Sequence, residues 1–159
     1  MAAVEERFGF EFPPDLRAVL QFVLPAGTAF PNWSSDSEAN LRSRMDSVVD
    51  GIWFDVEHCS VWPSDWGARP ANAQARFDKV KEIVGAAPRL IPIYGHRFIP
   101  AEPNKAGNPV FSVHQTDIIC YGNDLADYFH REFDASLPEW AAKEPRNIRF
   151  WSDSVRWRD

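Results

Sequence analysis

The chain has 159 residues, a formal net charge of -6, and a composition of 45% hydrophobic and 25% charged residues. These values are close to the average for globular proteins, which argues against an extended disordered chain and against a fibrous repeat. An acidic chain also repels phosphate backbones, so nucleic acid is not expected as a direct ligand.

The N-terminal third has the pattern of two helices. The run from Phe12 to Asp15 predicts a helix start, because Pro is tolerated in the first turn and Asp suits the positive end of the helix dipole. Four apolar residues then follow at helical spacing and define one face: Leu16, Val19, Leu20 and Val23. We expect this helix to end within residues 24–27. A second, short helix is expected after a cap among Ser34, Ser35 and Asp36, and it should bury Leu41, Met45, Val48 and Val49.

The middle of the chain is predicted to contain a strand, an irregular stretch and a helix. Gly51 to Val56 is rich in aromatic and β-branched residues, which predicts a strand. The stretch from Glu57 to Pro70 is predicted to be irregular. From about Ala71 to Val84 the apolar residues again share one helical face, and Gly85 is a natural helix end.

Residues 88–121 have the pattern of a small antiparallel sheet, because short β-branched or aromatic runs alternate with Gly and Pro. The predicted strands are Leu90 to Tyr94, Arg97 to Ile99, Val110 to Val113 and Ile118 to Tyr121. Gly95 and His96 are predicted to form a two-residue hairpin turn, in which Gly supplies a positive φ. Since Pro92 and Pro100 cannot donate ladder hydrogen bonds, parts of these strands should lie at an edge or a bulge.

The C-terminal part is predicted to begin with a helix capped by Asn123 or Asp124. That helix should carry Leu125, Tyr128, Phe129 and Glu132. After it we expect one helical turn within residues 139–143 and a final strand over Ile148 to Trp151. Trp53 and Trp151 are predicted to be core residues.

The expected compartment is the cytoplasm. The apolar runs fall far short of the ~20 residues needed to cross a bilayer, and acidic residues follow Met1 where a signal peptide would be apolar. Cys59 and Cys120 are the only cysteines, which is too few for a disulfide framework, and both are predicted to be buried thiols. We expect one domain over residues 1–159 and no membrane partner.

Standard catalytic and cofactor motifs are missing, so we expect no cofactor, no metal and no enzymatic activity. The four residues from Asp55 to Cys59 that could bind a metal form a weak cluster, because a strand would turn them to both faces. The alternative is a small hydrolase or nuclease that uses His96, Arg97 and Asp117. The structural interpretation is that His96 is a solvated turn residue and that Arg97 pairs with Glu102 or Asp117.

Candidate partner-binding residues are aromatic or cationic and lie in predicted turns or irregular segments, where such residue types are enriched at binding hot spots. They are Trp62, Trp66, Arg69, His96 and Arg97. The competing interpretation is that Trp62 and Trp66 pin a long loop onto the sheet.

The order of several short motifs resembles that of the SUKH superfamily. The matching segments are Phe12 to Leu16 with Leu20 and Phe22, Leu90 to Ile93, Gly107 to Val113, Asp117 to Ile119, and the helix through Leu125 and Phe133. The resemblance covers about residues 8–133 and leaves 134–159 as a C-terminal extension packed on the domain. Many family members have Gly-Asp before the central strand, whereas this chain has Gly107-Asn108, so no role is assigned to a carboxylate there.

The resemblance implies an α+β fold with a small, mostly antiparallel sheet flanked by helices, and part of that sheet left open as a concave docking surface. It also implies a non-catalytic, intracellular protein-binding module. Bacterial members of the superfamily are immunity proteins that neutralise a toxin, often a nuclease. Members of the Smi/Knr type are regulatory scaffolds. An acidic inhibitor suits a basic toxin domain as its partner.

Overall fold

The computed structural model describes residues 1–22, 27–155 and 157. These residues form helices, one 3-10 turn at Ser64–Trp66 and an antiparallel sheet, so the predicted α+β class is confirmed. The helices are α1 Ala2–Phe8, α2 Pro14–Phe22, α3 Glu38–His58, α4 Ala73–Gly85, α5 Leu125–Phe133 and α6 Trp151–Ser154. The strands are β1 Leu90–Tyr94, β2 Arg97–Pro100, β3 Val110–His114 and β4 Asp117–Gly122, and they lie side by side in chain order.

The four predicted strands and their first turn are confirmed. Gly95 and His96 connect β1 to β2, and Gly95 has a φ of 50°. Pro92 lies in the edge strand β1, where the register with β2 shifts between Pro92 and Tyr94. An edge position and an irregular register accommodate a residue that cannot donate a ladder hydrogen bond.

The predicted helices α4 and α5 are also confirmed, and α5 has its predicted cap at Asp124, whereas α4 includes Gly85, which was expected just beyond its end. The side chain of Asn72 accepts a hydrogen bond from the backbone of Ala75 at the start of α4. Asp124 caps α5 in the same way, because its carboxylate accepts from the backbone N–H of Asp127. These caps satisfy backbone donors that the first turn of a helix leaves free.

The predicted strand over Gly51 to Val56 is wrong, because these residues form the C-terminal part of α3. The predicted cap is also wrong by one residue, since Ser37 caps this helix. Five buried residues of α3 share one face: Leu41, Val48, Ile52, Asp55 and Val56. Their helical spacing continues through the segment that we expected to be a strand, and burial of this face overrides its β propensity.

Gly51 lets α3 approach the turn between β3 and β4. A Cβ atom on Gly51 would lie 3.1 Å from the Cα of Gln115. Next to this contact, the backbone N–H of Thr116 donates to Oδ2 of Asp55 over 3.0 Å. The glycine and the aspartate therefore fix the helix against the sheet.

The N- and C-terminal segments differ from expectation. No element is predicted before Phe12, but α1 forms there. Gly9, which has a φ of 68°, follows its last residue Phe8 and caps the helix. Val23, predicted on the apolar face of α2, and the predicted helix end at 24–26 lie outside the described residues. Within the segment predicted as one helical turn, the N–H of Ala141 bonds to the carbonyl of Pro138 over 3.0 Å.

The predicted final strand over Ile148 to Trp151 is wrong, because Trp151 begins α6. Phe150 has a φ of 72°, which breaks an extended conformation just before that helix. Trp151 is buried as predicted, and its indole N–H donates to the carbonyl of Pro88 over 2.6 Å. This contact holds the segment after residue 134 against the start of β1.

The sheet lies between two buried apolar clusters. On one face Ile91, Ile99 and Val110 pack with residues of α2 and α5 and with the aromatic residues near Phe12. On the other face Leu90, Phe98 and Phe111 pack with residues of α3, α4 and α6. Most of both faces is therefore covered, which contradicts the expectation of an open concave sheet. On β4, however, Ile119 keeps 45% of its surface exposed.

No helix in the described part of the chain combines the length and the apolar character that a membrane crossing requires.

Candidate functional site

The segment with Trp62, Trp66 and Arg69 packs at the C-terminal end of α3. Trp66 is only 5% exposed, and its ring lies edge-on to those of Trp62 and Trp157 at 5.3 and 5.2 Å. The indole of Trp62 donates to the carbonyl of Gly67 over 2.8 Å. Arg69 donates to the carbonyl of Val56, which is among the last carbonyls of α3.

These contacts favour the packing interpretation for Trp66, because a ring that is buried in the folded chain cannot serve as an exposed anchor. The sequence pattern could not separate the two roles, since an irregular segment rich in Trp fits both. Trp62 is half-buried and Arg69 is exposed. Their partner-binding role stays a prediction.

Arg97 is at the centre of a polar cluster on the sheet. Its Nε donates to Glu132 of α5 over 3.0 Å, and its Nη1 donates to the hydroxyl of Ser112 over 2.9 Å. The guanidinium lies 4.0 Å above the centre of the Tyr121 ring. The predicted ion pair with Glu102 or Asp117 is therefore replaced by one with Glu132, because α5 packs across this face of the sheet.

His96 and Asp117 lie near this cluster but on neighbouring hairpins. The His96 ring contacts Arg97 and lies 6.2 Å from the ring of His114. His96 is exposed in the turn between β1 and β2, as predicted. Partial burial of its ring lowers its pKa, and the nearby Arg97 and His114 lower it further. Asp117 is exposed and lies opposite His114 in the register of the β3–β4 hairpin. Because Arg97 is already paired with Glu132, the hydrolase hypothesis gains no specific support and stays a prediction.

Across the described residues, no group of three or more His, Cys, Asp or Glu side chains is arranged to hold a metal ion. The cluster from Asp55 to Cys59 lies at the end of a helix. There Asp55 is buried and binds Thr116, whereas Glu57 forms an ion pair with Arg76 at 2.6 Å. Asp55 and Glu57 therefore have structural roles in holding α3. The prediction that Cys59 is buried is wrong, because it follows the end of α3 and is exposed, and Cys120 is half-buried.

A different surface has the form of a binding site. An open groove of about 900 Å³ runs between α2, the start of α5 and the C-terminal segment. Its apolar lining includes Ala18 and Val19 from α2, Leu125 and Phe129 from α5, and Trp140. We call it the α2–α5 groove.

The walls of the α2–α5 groove are tied to one another by polar contacts. Asp15 of α2 accepts a hydrogen bond from the N–H of Gly107 over 2.8 Å, and Asp124 accepts one from Ala142 over 2.6 Å. Arg146 donates to the side chain of Asn108, which is itself buried. The groove is therefore built into the folded chain, and its shape does not depend on a ligand.

Large apolar side chains are exposed along the same region. Trp140, which lines the groove, is 77% exposed. Phe22 is 88% exposed and lies one helical turn beyond Ala18 and Val19 on α2. Sequence analysis did not single out Trp140, which lies in the segment between Pro138 and Pro145 that was predicted as one helical turn.

A second cavity of about 500 Å³ lies between α3 and α4. Its floor includes buried apolar residues such as Val48 and Leu90, and its rim carries both signs of charge, with Asp46, Lys81 and Arg89 among the lining residues. The α2–α5 groove is larger and has the exposed tryptophan, so it is the better candidate for binding.

Comparison of the chain with protein-family models, with curated proteins and with solved structures found no match. The resemblance to the SUKH superfamily therefore stays a prediction from the residues that carry it.

Proposed function

We propose that this chain is a non-catalytic protein-binding module and that the α2–α5 groove receives an apolar segment of its partner. The observation that carries this proposal is Trp140, which lines a preformed apolar groove and yet leaves 77% of its surface exposed. A free chain gains nothing from exposing a tryptophan, whereas a partner that covers the ring removes a large apolar surface from water.

Charge supports a basic partner. The chain has a net charge of -6, and the residues that line the groove include the carboxylates of Asp15, Asp124 and Glu144 together with one cation, Arg146. Asp15, Asp124 and Arg146 form hydrogen bonds to neutral groups and keep their charges, so the three carboxylates outweigh the one cation. A partner segment with apolar anchors flanked by Lys or Arg would therefore match both the lining and the charge of the groove.

The biological role that we propose is that of an immunity protein that neutralises a basic toxin domain. This role rests on the resemblance to the SUKH superfamily and on the acidity of the chain. A regulatory scaffold of the Smi/Knr type is the alternative with the same binding activity. The identity of the adjacent gene distinguishes the two roles. A gene for a large secreted multidomain protein beside this one would favour the immunity role.

Capture of proteins from one lysate by wild-type and variant baits tests the proposal. The wild-type chain, Trp140→Ala and Phe54→Ala are immobilised and exposed to the same native lysate, and the retained proteins are identified by mass spectrometry. Phe54 is the matched control, because it is an exposed aromatic residue on α3 and does not line the groove. We expect a basic protein that the wild-type and Phe54→Ala baits retain and Trp140→Ala loses.

The same set of proteins on all three baits would contradict the proposal. Circular dichroism of each bait shows whether it is folded, so that a loss of capture reports the missing side chain. Raising the salt concentration should weaken the capture, since attraction between an acidic groove and a basic partner is screened.

A further inference from the structure

The cavity between α3 and α4 has the size and the apolar floor of a small-molecule site. Its volume of about 500 Å³ falls within the range of roughly 300 to 1,000 Å³ that is common for such sites. Four buried apolar residues from α3, α4, β1 and α6 line it: Val48, Val84, Leu90 and Trp151. They belong to one core cluster, and the indole N–H of Trp151 is already bonded to Pro88. The floor is therefore apolar and is a fixed part of the fold.

Two arginines line one end of this cavity. The guanidinium of Arg42, on α3, lies 5.1 Å from the centre of the Phe8 ring, and Nη1 of Arg89 donates to the carbonyl of Phe8. Both side chains therefore lie against the same residue, which brings two positive charges close together. Glu38 pairs with Arg42 at 2.7 Å, whereas the Phe8 carbonyl is a neutral acceptor. One carboxylate thus offsets only one of the two charges.

Both arginines keep donors for a ligand. Glu38 contacts Nε and Nη2 of Arg42, and Phe8 uses only Nη1 of Arg89. A guanidinium carries N–H groups on all of its nitrogens, so Nη1 of Arg42 and Nε and Nη2 of Arg89 are not used in these contacts. Two neighbouring guanidinium groups with such donors suit a carboxylate, which accepts paired hydrogen bonds from them.

The acidic residues of the rim lie away from the arginine end. Asp46 and Asp50 follow Arg42 on α3 by one and two helical turns, which is about 6 and 12 Å along the helix axis. Asp50 also borders a neighbouring depression together with Phe77. Lys81 lies at that side as well, since its Nζ is 5.4 Å from the centre of the Phe77 ring. The rim is therefore positive at one end and of mixed sign at the other.

We infer that this cavity binds a small amphipathic carboxylate, an alkyl or aryl body that carries a single acidic group. The carboxylate lies at Arg42 and Arg89, and the body covers Leu90 and Trp151. A neutral apolar molecule would leave the arginine donors unused, and a molecule that is polar throughout would find no partners on the apolar floor. One negative charge also matches the one positive charge that Glu38 leaves. The site is separate from the α2–α5 groove and does not depend on the function proposed for that groove.

Isothermal titration with two carboxylate probes tests this inference. Octanoate has an alkyl body and phenylbutyrate an aryl body, and octanol and phenylbutanol are their neutral counterparts. We expect at least one of the carboxylates to bind the wild-type chain more tightly than its neutral counterpart does. Arg89→Met should weaken that carboxylate about tenfold or more, because it loses hydrogen bonds to a charged group. The affinity of the neutral counterpart should stay unchanged in Arg89→Met.

Three further variants test where the carboxylate binds. Arg149→Met is the matched control, because Arg149 is an exposed arginine that also donates to a backbone carbonyl, that of Ala86, and does not line the cavity. It and Trp140→Ala, in the α2–α5 groove, should bind the carboxylate like the wild-type chain. Arg42→Met should weaken binding as Arg89→Met does. Since the side chain of Arg42 is about half exposed, this variant keeps the test valid where circular dichroism shows that Arg89→Met is unfolded.

A wild-type chain that binds neither carboxylate would overturn the inference. Equal weakening in Arg149→Met, or a loss of binding in Trp140→Ala, would also overturn it, because the ligand would then lie on another surface. Equal losses for a carboxylate and its neutral counterpart in the folded Arg42→Met and Arg89→Met variants would show that the arginines contact no carboxylate. A loss of about tenfold that is confined to the carboxylate and to these two variants would establish the site.

Discussion

The hydroxyl of Tyr128 is a buried polar group without a hydrogen bond in the described part of the chain. The residue is 1% exposed. Burial raises the pKa of this phenol, and the charge of Glu132 raises it further. The hydroxyl therefore stays protonated and contributes its desolvation cost without a compensating bond.

Replacing Tyr128 with Phe should therefore leave the fold at least as stable. Removal of an unpartnered buried hydroxyl is expected to leave the free energy of unfolding unchanged or to raise it by up to about 1 kcal/mol. Urea denaturation of Tyr128→Phe beside the wild-type chain measures the difference. A loss of stability of more than about 1 kcal/mol would show that the hydroxyl has a partner after all.

His96 gives the chain a pH dependence of predictable sign. Burial lowers its pKa, Arg97 and His114 add to the effect, and Glu132 opposes it. Below the ordinary histidine pKa of about 6.5, the folded chain holds fewer protons at this site than the unfolded chain. Because the ring is exposed, the contribution of His96 to stability is small. It is present above the ordinary pKa and is lost as the pH falls through the lowered pKa of the folded chain.

An NMR titration of the four histidines checks this prediction. The His96 ring should titrate below the ordinary value of about 6.5, and the urea midpoint of His96→Gln should vary less with acid pH than that of the wild-type chain. A His96 ring that titrates at or above the ordinary value would contradict this prediction.

At the scale of elements, Gly122 sets how closely β4 and α5 approach. A Cβ atom on Gly122 would lie 2.7 Å from Cβ and 2.8 Å from Cα of Tyr128. Because both atoms are held by the helix, the overlap cannot be relieved by a rotation of a flexible side chain. α5 can therefore pack this closely against β4 only because residue 122 has no side chain.

Gly122→Ala should destabilise the chain by about 2 kcal/mol or more, because the clash forces a shift of backbone. Gly85 is the matched control, since a Cβ there has no atom within 4 Å beyond its chain neighbours and the backbone of its own helix. Gly85→Ala should be close to neutral. Equal urea midpoints for the two variants would contradict the close packing of β4 and α5.

Elements defined by local chemistry were predictable from the sequence, whereas those set by tertiary burial were not. The β1–β2 hairpin depends on Gly95, and the start of α5 depends on its cap at Asp124, so each was visible in a short stretch. The segment from Gly51 to Val56 has strand propensity but folds as helix. The helix was also indicated, because Ile52 and Val56 continue the helical spacing of the apolar residues before them. Burial of that face against the sheet is what selects the helix over the strand.

At the scale of the whole molecule, the α2–α5 groove could not be predicted because its walls are distant in the chain. The contact between Asp15 and Gly107 joins residues 92 positions apart, and Arg146 reaches Asn108 across 38 positions. Trp62 and Trp66 were singled out because they lie in a segment predicted to be irregular, where tryptophans are candidate binding residues. Trp140 lies in a segment that was predicted as one helical turn, and its place in the groove depends on α2 and α5 meeting beside it.

The central claim is that the chain binds a protein through the α2–α5 groove, and one measurement tests it most directly. Isothermal titration of the captured partner into the wild-type chain, Trp140→Ala and Phe54→Ala compares the three dissociation constants. We predict that Trp140→Ala weakens binding by about 30-fold or more, equivalent to about 2 kcal/mol for a buried aromatic anchor, and that Phe54→Ala binds like the wild-type chain. Equal affinity of the wild-type chain and Trp140→Ala would contradict the claim.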